Sequence, residues 1–216
     1  MTKFQKFQNW ASELKNQPKT LKFLIFLNIL WGAIGIVVDW PWLMSVPTYL
    51  TPLTPICSIY PPLLTVWYLL YFFKKRPPAW FTAFIFIGCL SYGVLAQIYY
   101  PMYMSWIGFN LHDAGSMIWV AVYGLQSFVI ASELRPLKSY QMALIISYFA
   151  LKDYSDYVFK TFIDFLREGY PEWIRTVMLI SCLTIQIIAV ALVWYLGQKN
   201  SRKNTTPKTQ INSSKV

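Results

Sequence analysis

Long apolar runs and clusters of Lys and Arg exclude one another along this chain, and that exclusion leaves few folds open. Six uncharged or nearly uncharged stretches alternate with loops that are by turns basic and almost free of Lys and Arg. A lipid bilayer selects this pattern, because charge is costly inside it and basic loops are retained on the cytoplasmic side. The expected fold class is all-α: a polytopic transmembrane helix bundle of six spans, with both termini inside.

Composition agrees. Of 216 residues, 56% are hydrophobic, 19% are aromatic and only 13% are charged, against about 25% charged in an average soluble domain. The domain plan is a cytoplasmic amphipathic arm at residues 1–20, a transmembrane domain at 21–198 and a disordered basic tail at 199–216. In the arm, Phe4, Phe7, Ala11 and Leu14 share one helical face, with Lys3, Lys6 and Lys15 around it. That arrangement suits a helix lying on the inner leaflet. The net charge of +10 belongs beside the spans, where it meets anionic lipid, so no nucleic-acid partner is expected. More than twenty residues precede the first span and no small-residue cleavage site follows it, so no secretory signal is expected.

The spans are read at 23–38, 55–73, 81–100, 114–132, from 139 onward, and 174–197. Residues 40–60 contain Pro41, Pro47, Pro52 and Pro55 and no charge, which reads as an irregular apolar loop packed at the outer interface or dipping partly into the bundle. The second span begins awkwardly, since Pro61 and Pro62 lie inside the length it needs to cross about 30 Å of hydrocarbon. Lys and Arg number five in the N-terminal arm, three at 74–76, two at 133–138 and five in the tail. The remaining four lie between the fifth and sixth spans, with five acids. Fifteen against four gives the inside-inside orientation. Trp40, Trp42, Trp106 and Trp173 then fall at the outer interface, with Trp80 and Trp194 at the inner one. An aromatic belt accounts for them.

The fifth span carries the charge. Thirteen apolar or weakly polar residues from Ser139 are followed by Lys152, Asp153 and Asp156, whereas a span needs about 20 residues. An ionisable group inside a span is a functional-site hypothesis by default. Asp153, Asp156 and Tyr157 share a helical face. Asp39 ends the first span and His112-Asp113 opens the fourth, so neighbouring outer ends would form an acidic cup. The alternative is structural: Lys152–Asp156 and Asp156–Lys160 pairs reaching the outer headgroups, and Asp113 serving as a helix N-cap.

Other chemistry is sparse. His112 is the single histidine, which is weak evidence for a metal site and excludes bis-histidine haem within one chain. Cys57, Cys89 and Cys182 show no metal-ligand spacing and read as free thiols. No GxSxG, HExxH or phosphate-cradling glycine loop occurs, which disfavours an enzyme, and no cofactor is implied. Asn28, Ser91, Tyr92, Gln97, Gln126, Ser147, Tyr148, Thr184 and Gln186 lie deeper, near Gly32, Gly35, Gly88, Gly93 and Gly124. Small residues and amides at these depths are expected to pack and bond helices together.

The chain resembles the YpjA-like family of prokaryotic integral membrane proteins. The resemblance rests on Asn28 with Gly32 and Gly35, on Tyr92-Gly93, on Ala121-Val122-Tyr123-Gly124-Leu125, and most specifically on the run from Asp153 through Phe159. It covers roughly residues 23–160. Where the family has histidine seven residues before the fourth-span glycine, and His-Asn before the first aspartate, this chain has Met117, Leu151 and Lys152. The resemblance therefore implies Asp153, Asp156 and Tyr157 as the residues to carry over, and no histidine-based site. It brings fold and location but no assigned activity.

Two functions are compatible with this reading. One is a bundle that binds or translocates a proton, cation or small cationic solute through outer carboxylates. The other is a non-catalytic accessory or assembly protein of a membrane electron-transfer complex, with other membrane proteins as partners. The expected location is the cell membrane, or another internal prokaryotic membrane.

Overall fold

A computed structural model describes residue 10 and residues 13–44, 53, 56–159 and 169–205. Most of the amphipathic arm, residues 45–52, 54 and 55, Lys160 and the end of the tail lie outside the described residues, while residues 40–43 and 56–60, expected in an irregular loop, are helical. Those that are described contain six helices and no strand: α1 Pro18–Leu43, α2 Ile56–Phe72, α3 Ala79–Ile107, α4 Leu111–Ala131, α5 Ser139–Val158 and α6 Glu172–Thr205.

Four of these helices are long and apolar enough to cross a membrane: α1, α3, α4 and α6. They mark an all-α membrane protein. The other two fall short for different reasons. At 17 residues, α2 extends only about 26 Å at 1.5 Å per residue, and it carries Pro61 and Pro62 in its interior. Its length matches a crossing, but α5 dilutes its apolar residues with Lys152, Asp153 and Asp156.

Local chemistry sets the helix ends. Past Tyr100, α3 continues through Pro101 and stops at Gly108, whose φ of 91° no ordinary helix accommodates. Asn110 then starts α4: its side chain accepts from the Asp113 backbone N–H at 2.8 Å and donates back to the Asp113 carboxylate. The cap is therefore Asn110, and Asp113 occupies the first turn, favourable for a carboxylate near a helix N-terminus. This corrects the reading of Asp113 as the cap. The helix α6 also runs to Thr205, several residues into the stretch expected to be disordered.

Packing is organised around α3, which lies against α4 and α6 over most of its length and touches α2 and α5 more lightly. Where α3 crosses α4, the two backbones meet directly: a Cβ on Gly124 would stand 3.0 Å from the Gly93 Cα. On α1, Gly32 faces α2, with a Cβ there 3.2 Å from Pro62 Cδ. Asn28 is fully buried and donates to Gln126 at 2.9 Å, joining α1 to α4, and Trp31 stacks on Trp119 across the same pair. Gly35 is half-buried. Away from these contacts α1 presents Phe23, Phe26, Ile29, Val37 and Trp40 to the surroundings, as a lipid-facing helix should.

One end of the bundle is held together by charge. Lys15 pairs with Glu133 and donates to Ser132 at 2.8 Å, while Arg76 approaches Glu133 at 3.7 Å. Arg135 donates to the Pro77 carbonyl. Asn200 donates to the carbonyls of Ala131, Ser132 and Leu134 at 3.2, 3.3 and 3.0 Å, satisfying groups left open at the end of α4. Lys15, expected among the lipid headgroups, is thus turned into the bundle and only 8% exposed. Glu133 accounts for this: it is the single acid in a basic loop and recruits cations from two other segments.

Candidate functional site

The polarity of α5 is inverted relative to a helix in water. Its buried face is Ile145, Phe149, Lys152, Asp153, Ser155 and Asp156, while Leu144, Leu151, Tyr154 and Val158 are exposed. Charges that face the protein and aliphatics that face outward are what hydrocarbon surroundings demand. Both aspartates are buried against the bundle, Asp153 at 4% and Asp156 at 5% exposure. Five residues separate Asp153 from the end of α5, or about 8 Å along the axis.

Lys152 and Asp156 form the anticipated i, i+4 ion pair, but it is buried, with side chains only 3% and 7% exposed. The Lys152 ammonium also stands 4.8 Å from the centre of the Tyr92 ring on α3, a cation–π contact that strengthens when water is excluded. Tyr92 packs against Tyr60 of α2 at 5.6 Å and Phe149 of α5 at 6.4 Å between ring centres. Gly88, one turn before Tyr92, leaves the space that the Tyr60 ring fills. Four helices thus meet around one lysine and two aspartates.

Asp153 is not part of the ion pair. Its Oδ1 accepts from Gln186 Nε2 at 3.3 Å and from the Cys182 thiol at 3.6 Å, both on α6. Gln186 also donates to Cys182 Sγ at 3.3 Å, closing a small triangle. The other oxygen, Oδ2, is buried without a hydrogen-bond partner, and so is the Tyr92 hydroxyl. An unpaired carboxylate oxygen in an apolar setting costs several kcal/mol, on the order set by polar-group transfer, unless something occupies it.

The remaining expected residues are distributed differently. Tyr157 is half-buried and packs against the core. His112 is exposed and lies 3.3 Å from Asp113, which is already engaged by Asn110. Asp39 is half-buried close to the end of α1. Only light contact joins α5 to α3 and to α6, whereas α4, which carries His112 and Asp113, packs closely on α3. Among the described residues, no group of three His, Cys, Asp or Glu side chains could hold a metal ion.

Sequence reasoning placed Cys182 among inert thiols and Gln186 among helix glue, and missed that both attend Asp153. The signal was present. Cys182 and Gln186 are spaced i, i+4 on one face, at a depth that an antiparallel fifth span brings level with Asp153. No family model matches the chain, and neither the curated proteins nor the solved structures compared with it give a match.

Proposed function

We propose that this protein is a membrane-embedded bundle that binds, and passes on, a proton or small cation at Asp153. The observation that carries the reading is the Asp153 Oδ2 atom, buried and unpartnered beside an intact Lys152–Asp156 pair. Asp156 has its counter-ion, and Asp153 has one oxygen left for a positive ligand. The buried pair is the role Asp156 fulfils, so of the two aspartates only Asp153 is the ligand-binding one.

A six-span, inside-inside topology goes with this proposal. The segment before α1, the α2–α3 loop, the α4–α5 loop and the far end of α6 are tied together at one end by Lys15, Arg76, Glu133, Arg135 and Asn200. Successive helices must then run in opposite directions, which supports six passes even though α2 and α5 are atypical. The basic end is the cytoplasmic one by the distribution of Lys and Arg, and the cell membrane is the proposed location. Membership of the YpjA-like family is part of the same proposal and carries no activity with it.

The alternative is an accessory protein of an electron-transfer complex, and the buried Lys152–Asp156 pair favours it, since a paired charge can serve packing alone. Reconstitution separates the two. Vesicles holding the purified chain and a trapped pH dye should respond to an imposed pH or cation gradient, and Asp153→Asn should remove the response while keeping the wild-type melting temperature within a few degrees. A silent wild type that co-purifies with one membrane complex would support the accessory role.

A further inference from the structure

We infer that the ligand of Asp153 is a proton, carried on Oδ2, and not a metal ion or an organic cation. This inference rests on the proposed ion-binding role and narrows it by asking what each class of ligand would need.

A metal ion needs several oxygen, nitrogen or sulfur donors converging on one point, six to eight for calcium and about six for magnesium. Asp153 supplies one free oxygen, since Oδ1 already accepts from Gln186 and Cys182. The adjoining residue is Lys152, whose side chain is only 3% exposed within the same cluster and opposes a second cation. An organic cation needs an aromatic face and a counter-charge. Both exist here, and Lys152 holds both: its ammonium lies 4.8 Å from the Tyr92 ring centre and pairs with Asp156. The chain has filled its own organic-cation slot. A proton alone asks for no further donor and no further volume than Oδ2 provides, and Asp153 is only 4% exposed.

The titratable surroundings are consistent with single-proton exchange. Lys152 and Asp156 on α5 cancel one another. The other titratable groups coupled to Asp153 are Tyr60 from α2, Tyr92 from α3, Tyr157 from α5 and Cys182 from α6, three phenols and a thiol. With the proton on Oδ2 the cluster is uncharged. Its release breaks the O–H bond, leaves the electron pair on the carboxylate, passes H⁺ to water and gives the cluster a charge of −1. Lys152, next in sequence and the nearest cation, is the group able to answer that charge by dividing its ammonium between Asp156 and Asp153.

Infrared difference spectroscopy on the purified chain in lipid reads the proton directly. The carbonyl stretch of a protonated carboxylic acid should be present at neutral pH, shift on exchange into D₂O, and disappear at high pH. It should be absent in Asp153→Asn and retained in the double variant Asp156→Asn/Lys152→Gln, which keeps the cluster neutral. The same sample is titrated with Na⁺, K⁺, Ca²⁺ and tetramethylammonium, none of which should alter the band. An ionised Asp153 whose spectrum changes with one of these ions overturns the proton inference and leaves the ion-binding reading standing. An ionised Asp153 that responds to no ion, or an acid band that never exchanges with D₂O, overturns both.

Discussion

Lys152 pairs with Asp156 one turn further along α5 and not with its sequence neighbour Asp153, and this choice separates two carboxylates that look equivalent in the sequence. Removing one partner of a buried pair typically costs about 3–5 kcal/mol, because the other charge is left without compensation. Asp156→Asn should therefore express poorly or melt early in detergent. Asp156→Asn/Lys152→Gln should regain most of the loss. Asp153→Asn should be nearly neutral, since Asn keeps an acceptor for Gln186 and Cys182. Thermal melts of these proteins beside wild type and Asp153→Asn/Lys152→Gln decide it: a rescue of Asp153→Asn by Lys152→Gln, with no rescue of Asp156→Asn, would contradict the pairing.

The meeting of Gly93 and Gly124 leaves no room for a methyl group. A Cβ on either residue would fall against the other's Cα, and backbone cannot swing away as a long side chain can. Overpacking costs about 1–3 kcal/mol, and in lipid such close contact is a main source of helix association. Gly93→Ala and Gly124→Ala should each lower the melting temperature. Gly115→Ala is the control, because open space surrounds that position. If all three variants melt together, the α3–α4 crossing is looser than described.

The bundle and its amide links were legible in the sequence because hydrophobicity and loop charge are written residue by residue. Asn28 needed only its depth and its neighbourhood of glycines to be recognised as glue, and Gln126 is the partner it found. The site was half legible. A charge inside a span marks itself, so Asp153 stood out. Its attendants did not, because Cys182 and Gln186 lie some thirty residues away and their meaning depends on which helix neighbours α5. The acidic cup likewise rested on which helix ends are neighbours, which hydropathy and loop charge do not specify. Lys15 was misjudged for a related reason, since an amphipathic pattern shows a face but not the acid waiting on another loop.

Topology is open to direct measurement. Reporter domains fused at Lys75, at Arg135 and at the C-terminus should read as cytoplasmic, and fusions near Trp106 and Gly169 as external. Lys15, Arg76, Glu133 and Asn200 meet at one end of the bundle, and the proposed six-span topology puts all four on the same side. A cytoplasmic signal near Trp106 would remove the six-span arrangement.

Glu133 gives the bundle a predictable response to acid. It lies in the α4–α5 loop, where burial pushes its carboxyl up, but the hydrogen bond from Lys15 and the charges of Lys15 and Arg76 outweigh burial and hold it below the ordinary value of 4.5. A carboxylate whose value is lower folded than unfolded binds more protons when unfolded, so folding is favoured as pH rises past the unfolded value. Its contribution is complete above about 4.5 and is lost as pH falls through the lowered folded value. Glu133→Gln should therefore melt below wild type at neutral pH, by about 1–3 kcal/mol for a hydrogen bond to a charged group. The two melting curves should converge in acid. Salt should narrow the gap only in part, because Lys15 is buried and screening acts on exposed charge. Melting temperatures of wild type and Glu133→Gln that stay parallel from neutral to acid pH would show that the Lys15–Glu133 pair does not hold this end of the bundle closed.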